Sequence, residues 1–325
     1  MSKKLFASSI FMIIAGWGIK LLPAPVKAEL PPTNSSILSR STRIIPTKQP
    51  QLELLSTGTE PRQKLRFRPA VNAKETTTLT ISMDILAMSM NGKPSPSYKL
   101  PAITMTMETV VTKIEPNGDI DYEFSYSNAD LVADPTTSPL MLVEMRSQIK
   151  KLVGLHGSGI VSNLGQMKAY NLILPEGFDQ NTKQMIEQMS NSTEQISASV
   201  PEQAIGIGAK WRVTSFPDRG GINLAQVATY QLVTRSNHLA TIDINLKQQA
   251  TAQNLTKPEL ISGSKSTLKS INSQGQGQIT MDLNRLIGIS SNMSVRSDIQ
   301  NNVKYANQDL TVDTQLLMRM AIKSK

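Results

Sequence analysis

The chain has no cysteine among its 325 residues. That absence excludes disulfides, thiolate metal sites, a cysteine nucleophile and a lipid anchor on cysteine. Histidine is nearly absent too. His156 and His238 are the only two, and neither has a second histidine at metal-ligand spacing. Aromatic residues make up 4% of the chain. Lys and Arg are scattered rather than clustered, so a basic stripe with stacking platforms, the mark of a nucleic-acid binder, is missing. After the first twenty residues no run is apolar enough to span a membrane.

Catalytic signatures are equally scarce. Ser147-Gln148-Ile149-Lys150 fits S-x-x-K, but the S-D-N and K-T-G motifs that accompany it in penicillin-recognising enzymes do not occur. The same pattern recurs at Ser262 to Lys265 and Ser266 to Lys269, which shows how little it selects. Gly206-x-Gly208 and Gly275-x-Gly277 complete neither a phosphate loop nor a dinucleotide fingerprint. His156-Gly157-Ser158-Gly159 has no G-x-S-x-G elbow to partner it. Asp119 and Asp121 lack the oxygen-rich loop that calcium needs and read as a solvated face. The expectation is no catalytic residue, no metal and no cofactor.

What is present begins with an export plan. Lys3 and Lys4 precede an apolar run from Leu5 to Ile19, and Val26-Lys27-Ala28 places small residues at −3 and −1 of a cleavage site. The run is about 15 residues, short of the roughly 20 of a spanning helix. Residues 1–28 therefore read as a signal peptide, with a periplasmic or extracellular destination. The formal charge of +9 includes Lys3, Lys4, Lys20 and Lys27, so the mature chain carries +5. Residues 29–62 are rich in Pro, Ser, Thr and Gln and read as a flexible leader or linker. Residues 63–325 read as a single β-rich domain.

The clearest periodicity runs from Ile103 to Asn128. Ile103, Met105, Met107 and Val111 alternate with polar residues, as do Ile120, Tyr122, Phe124 and Tyr126, across Glu115-Pro116-Asn117-Gly118. Period-two arms about an Asn-Gly turn predict a long β-hairpin. Thr76 to Met90 predicts another long strand whose phase flips after Ile85, the sign of a β-bulge. Further strands are expected at Leu65 to Arg68, a short one stopped by Pro69, at Gly157 to Leu174, from Trp211, across 226–247, near Ile279 and Val295, and from Leu310 to Ile322. Ala250 to Gln274 is polar and reads as a loop or exposed edge. Pro139 to Val153 changes period to three and four, with Ser138 and Gly154 as boundaries, and predicts an amphipathic helix. Asp179 to Ser197 predicts a second. The fold class is mainly β (α+β): a long-stranded antiparallel curved sheet, half-barrel or barrel, with two inserted helices as a lid.

Methionine is the informative excess, with 14 in the mature chain. It fills irregular apolar space and adapts to ligands. One reading is a loosely specified core. The other is an apolar groove between sheet and helices, with Met83, Met105, Met107, Met318 and Met320 on strands and Met141, Met145, Met185 and Met189 on helices.

The run Pro201 through Gly206-Ile207-Gly208-Ala209-Lys210-Trp211-Arg212-Val213, with Tyr230-Gln231-Leu232, Ala240-Thr241-Ile242-Asp243 and Gly275-Gln276-Gly277, resembles uncharacterised exported β-rich domains of bacteria, cyanobacteria among them. No catalytic residue comes with that resemblance. In plan the chain is similar to the periplasmic lipoprotein carriers, half-barrels closed by helices around an acyl-binding cavity; the likeness is architectural and carries no site residue. Three functions are consistent with these features. The first is a binding module for a lipid or other apolar molecule. The second is a structural or protein-interaction component of the cell envelope. The third is a hydrolase whose carboxylates or histidines converge in a cleft.

N-terminal sequencing of the protein recovered from its own host is expected to begin at Glu29. A chain that retains Met1 in the membrane fraction would show an uncleaved anchor instead.

Overall fold

The computed structural model describes residues 41–44, 50–133, 137–173, 199–219, 222–254, 265–305 and 308–325. In chain order the strands are β1 (Ser41–Ile44), β2 (Gln51–Ser56), β3 (Lys74–Met90), β4 (Lys93–Ser95), β5 (Tyr98–Lys99), β6 (Ala102–Ile114) and β7 (Ile120–Val132). After the helix α1 (Pro139–Lys150) come β8 (His156–Val161), β9 (Met167–Ile173), β10 (Lys210–Ser215), β11 (Asp218–Arg219), β12 (Ile222–Asn223) and β13 (Ala225–Ser236). The chain ends with β14 (Leu239–Ala250), β15 (Gln253–Asn254), β16 (Lys265–Asp282), β17 (Ser290–Tyr305) and β18 (Gln308–Ser324).

Sixteen of these strands form one antiparallel sheet, in the order β1-β9-β8-β7-β6-β3-β18-β17-β16-β14-β13-β10-β2, with β4, β5 and β15 as side pairs. Two meanders, β3 to β9 and β10 to β17, lie side by side, and β18 joins them by pairing β17 on one side and β3 on the other. The sheet does not close, so the barrel expectation is corrected to an open roll. Its two edges are β1 and β2, and only residues 45–50 separate them in sequence. Thirteen strands laid flat would span roughly 58 Å at about 4.8 Å per strand. Seven residue steps reach at most about 25 Å. The edges are therefore drawn together, and the sheet must curl.

Alternation makes the roll. The inner row Leu232–Ile242–Ile279 continues through Ser291–Ile322–Leu79–Met105, each residue opposite the next. The rings of Tyr122 and Phe124 lie over Gly159 and Gly157, their register partners. A Cβ on Gly159 would collide with the Tyr122 ring, so only glycine leaves that ring its place over β8. The expected bulge in β3 is present: Gln315 faces Ala87 while Leu316 faces Ile85, leaving Leu86 unpaired. The hairpin of β6 and β7 turns through Gly118 at φ 86°, as the Asn-Gly signal predicts.

One end of the roll is plugged by chain that is not strand. Leu65 and Phe67, expected as a short strand, are buried in irregular backbone. Phe67 N–H donates to Asn163 of the β8–β9 turn, and Arg68 N–H donates to Leu283 after β16, so this segment crosses between the two meanders. The Arg66 guanidinium donates to the carbonyls of Leu65, Pro201 and Glu202. The Trp211 indole, fully buried and stacked 5.5 Å from Tyr230, donates to Ser199 O. A buried carboxylate fastens the last piece. Glu75 accepts from the N–H groups of Leu286 and Ile287 at 2.7 and 3.2 Å and from Arg285 at 3.4 Å, while Arg285 also reaches Ser324 Oγ.

Two apolar clusters occupy the inner face. The larger takes in Met105, Phe124, Trp211, Ile242 and Met281; the smaller takes in Met83, Ile85, Leu268, Ile299 and Leu316 at the far end of the long strands. A buried polar row, Gln226–Gln248–Ser273–Ser297, runs in register between them. Its members bond to one another: Gln248 donates to Gln226, and the hydroxyls of Ser273 and Ser297 lie 2.8 Å apart. Residues 265–274, expected as loop or edge, are interior strand here. The outward residues of β16 carry the polarity that suggested otherwise, and Leu268 and Ile271 face in.

One helix is present among the described residues where two were expected. The second, Asp179 to Ser197, lies outside them. α1 packs on β7, buries Met145 and Ile149, and is tied by Arg146 to Asp130 at 2.7 Å. The supposed leader also differs, since Gln51–Ser56 within it forms the β2 edge against β10. Among the described residues no helix is long and apolar enough to cross a membrane.

Replacing Glu75 with Ala removes the acceptor of two backbone donors and leaves Arg285 without its carboxylate. Breaking such a buried pair costs about 3 kcal/mol. Urea unfolding of Glu75→Ala should show a loss of that order; a loss under about 0.5 kcal/mol would mean the 285–287 loop is held by its apolar side chains alone.

Candidate functional site

An apolar cavity of about 250 Å³ lies inside the roll, on the larger-cluster side of the polar row. β3 and β18 contribute Leu79 and Ile322 to its walls, β6 contributes Met105 and Met107, and β16 contributes Ile279 and Met281. The fastened 286–288 loop and Phe67 of the plug close one end. The aromatic wall comes from β7 and β9. Tyr122, Phe124, Tyr126 and Tyr170 all reach the cavity, and Phe124 stacks on Tyr170 at 5.2 Å and 11°. Strand alternation puts the three β7 aromatics on one face, and the inward glycines of β8 give their rings room.

Among the described residues the lining contains no charged side chain. Its polar groups are hydroxyls: Thr77, Ser291 and the three phenols. Thr77 is engaged with Ser324 Oγ at 3.2 Å. Tyr122 donates to the thioether sulfur of Met167 at 3.7 Å, a weak acceptor. Burial pushes the Tyr122, Tyr126 and Tyr170 phenols up, with each of the first and third raised further by Tyr126. They remain protonated donors across the physiological range.

The methionines expected to form a groove divide. Met105 and Met107 line the cavity, joined by Met167 and Met281. Met145 is buried beneath α1 in the larger cluster, and Met83 is buried in the smaller one. Met318 and Met320 are half-buried on the inward face of β18, further along the strand than the cavity-lining Ile322. Met141 lies in α1. Met185 and Met189 lie outside the described residues. The aromatic wall was not singled out beforehand, although Tyr122, Phe124 and Tyr126 share one face of the hairpin; only Tyr170, from a distant strand, needed the fold.

Elsewhere the chemistry is structural. His156 Nδ1 lies 2.9 Å from Gly154 O, and His238 lies 3.6 Å from Asp282. Asp119 is held by Lys168 at 2.7 Å and by Asn117, rather than solvated. No group of three His, Asp or Glu placed to hold a metal occurs among the described residues. A second recess of about 570 Å³, bounded by Phe216, Leu224, Lys269 and Asn272, is wide open to solvent. Compared with protein-family models and with curated proteins, the chain matches none.

The tyrosines generate an alkaline limit. A free phenol ionises near 10, and burial pushes Tyr230 up to about 12 and the cavity tyrosines up as well. Above about pH 10 the unfolded chain sheds phenolic protons that the folded chain keeps, so stability falls as pH rises from there. The urea midpoint should drop between about pH 10 and 12, with phenolate absorbance appearing together with unfolding. Phenolates that titrate near 10 in an intact fold would show that the wall is open to water.

Proposed function

We propose that this is an exported, non-catalytic protein that holds an apolar ligand in the interior of the rolled sheet. The observation that carries this reading is the cavity itself: walled by strands, free of charged side chains among the described residues, and lined by four methionines and five aromatic rings. Cavities of about 150 Å³ with purely apolar walls take up benzene, and this one is larger. Each methylene moved from water into such a space contributes about 0.8 kcal/mol. An aliphatic chain can therefore bind without a conspicuous polar motif. Methionine walls adapt to chains of different shape.

A second reading, a protein-interaction role at the cell envelope, is favoured by α1. Its Leu140 is 78% exposed and its Val143 65% exposed, with Val132 of β7 exposed at 55%. Such a cluster suits a partner surface.

Native mass spectrometry of the protein purified from its own host, followed by solvent extraction, separates the two. Ligand binding predicts a stoichiometric apolar adduct that Met107→Trp abolishes by filling the cavity, with thermal stability unchanged or raised. A bare mass that stays bare after incubation with host lipid extract, together with a protein captured by a photoreactive benzophenone residue introduced at position 140 or 143, would replace it with the interaction reading.

A further inference from the structure

Three of the six tyrosines of the chain face the one cavity. Tyr122, Tyr126 and Tyr170 surround Phe124, with ring centroids 6.3, 6.2 and 5.2 Å from it. Buried tyrosine hydroxyls ordinarily find a hydrogen-bond partner. Here Tyr122 reaches the Met167 thioether, and Tyr126 and Tyr170, whose hydroxyls are not among the fully buried unpartnered atoms of the described residues, line the cavity space itself. At this end the cavity therefore presents three phenol O–H groups to whatever fills it. The rest of its wall is aliphatic or thioether, apart from Thr77 and Ser291.

Charge decides the kind of acceptor. Among the described residues no Lys, Arg or His lines the space, so against these walls a carboxylate or phosphate would lose its hydration and gain no counter-ion. A carbonyl, ester or hydroxyl oxygen loses far less and accepts directly from a phenol. We infer that the ligand of this cavity is an uncharged amphiphile, its hydrocarbon part among Met105, Met107 and Met281 and a single neutral oxygen accepting from the Tyr126 and Tyr170 hydroxyls. This rests on the apolar-ligand reading above and narrows it, away from free fatty acids and phospholipid headgroups.

The test uses the mature protein and three probes of equal chain length, octane, 2-octanone and octanoate, competing with an apolar fluorescent dye at about pH 8, where a carboxylic acid is ionised. The ketone should bind about two- to tenfold more tightly than octane, the worth of one net hydrogen bond. Octanoate should bind at least about tenfold more weakly than the ketone. Tyr126→Phe combined with Tyr170→Phe should lower ketone affinity to that of octane, abolishing the ketone's advantage. Octane binding reports on the fold of the double variant; should it be lost, each single variant gives the same comparison. Equal binding of ketone and octane, or tightest binding by octanoate, would overturn the neutral-oxygen inference while sparing the apolar-ligand reading. Failure of all three to displace bound dye would overturn both.

Discussion

A sheet thirteen strands across, with only the two-stranded β11–β12 ribbon as a second sheet among the described residues, has one apolar face too many. The whole structure answers that constraint by turning the face inward on itself. Strand alternation supplies the inner face, the glycines of β8 leave the β7 rings their place, the bulge in β3 supplies a bend, and the short tether between β1 and β2 holds the two margins near each other. Because pairing does not complete the circle, one end has to be stopped by other means. Leu65, Phe67 and the loop fastened to Glu75 do this, and they recruit a buried carboxylate because loop backbone in a core must find its hydrogen bonds somewhere.

The cavity follows from the same geometry. A rolled sheet of this width encloses more room than short side chains fill, and four methionines and five aromatic rings join branched aliphatic residues in its wall. The polar row Gln226–Gln248–Ser273–Ser297 bounds the larger apolar cluster on the other side. Its members satisfy one another across neighbouring strands, so it sits in the interior without unpaired donors and sets where one apolar compartment ends and the next begins.

The sequence made the strands and the single large antiparallel sheet legible and hid the order in which the strands pair. The hairpin of β6 and β7, the β3 bulge and α1 could be read from period and turn residues alone, because those signals are local. Leu65 and Phe67 misled because alternation in a four-residue run is equally compatible with a plug threaded across a mouth. Residues 265–274 misled because a strand with a wet outer face and serines inside looks polar throughout. The candidate site was half visible. Met105 and Met107 share the inward face of a readable hairpin, whereas Met83 and Met318 share the same face of the sheet but fall elsewhere along their long strands. Position along the strand depends on register between segments more than two hundred residues apart, which no local pattern records.

That long-range register has a consequence for how the molecule comes into being. β3 and β18 lie side by side although the chain between them is nearly the whole domain. Each meander can assemble from hairpins as it emerges, but β3 and β17 keep a free, half-apolar margin until the final strand arrives. Sheets dominated by such distant pairings fold slowly, and unpaired margins invite other chains. The seventeen residues of β18 therefore act as a zipper. The molecule is at its most aggregation-prone in the interval before β18 becomes available, and that interval is where a holding chaperone would have its greatest effect.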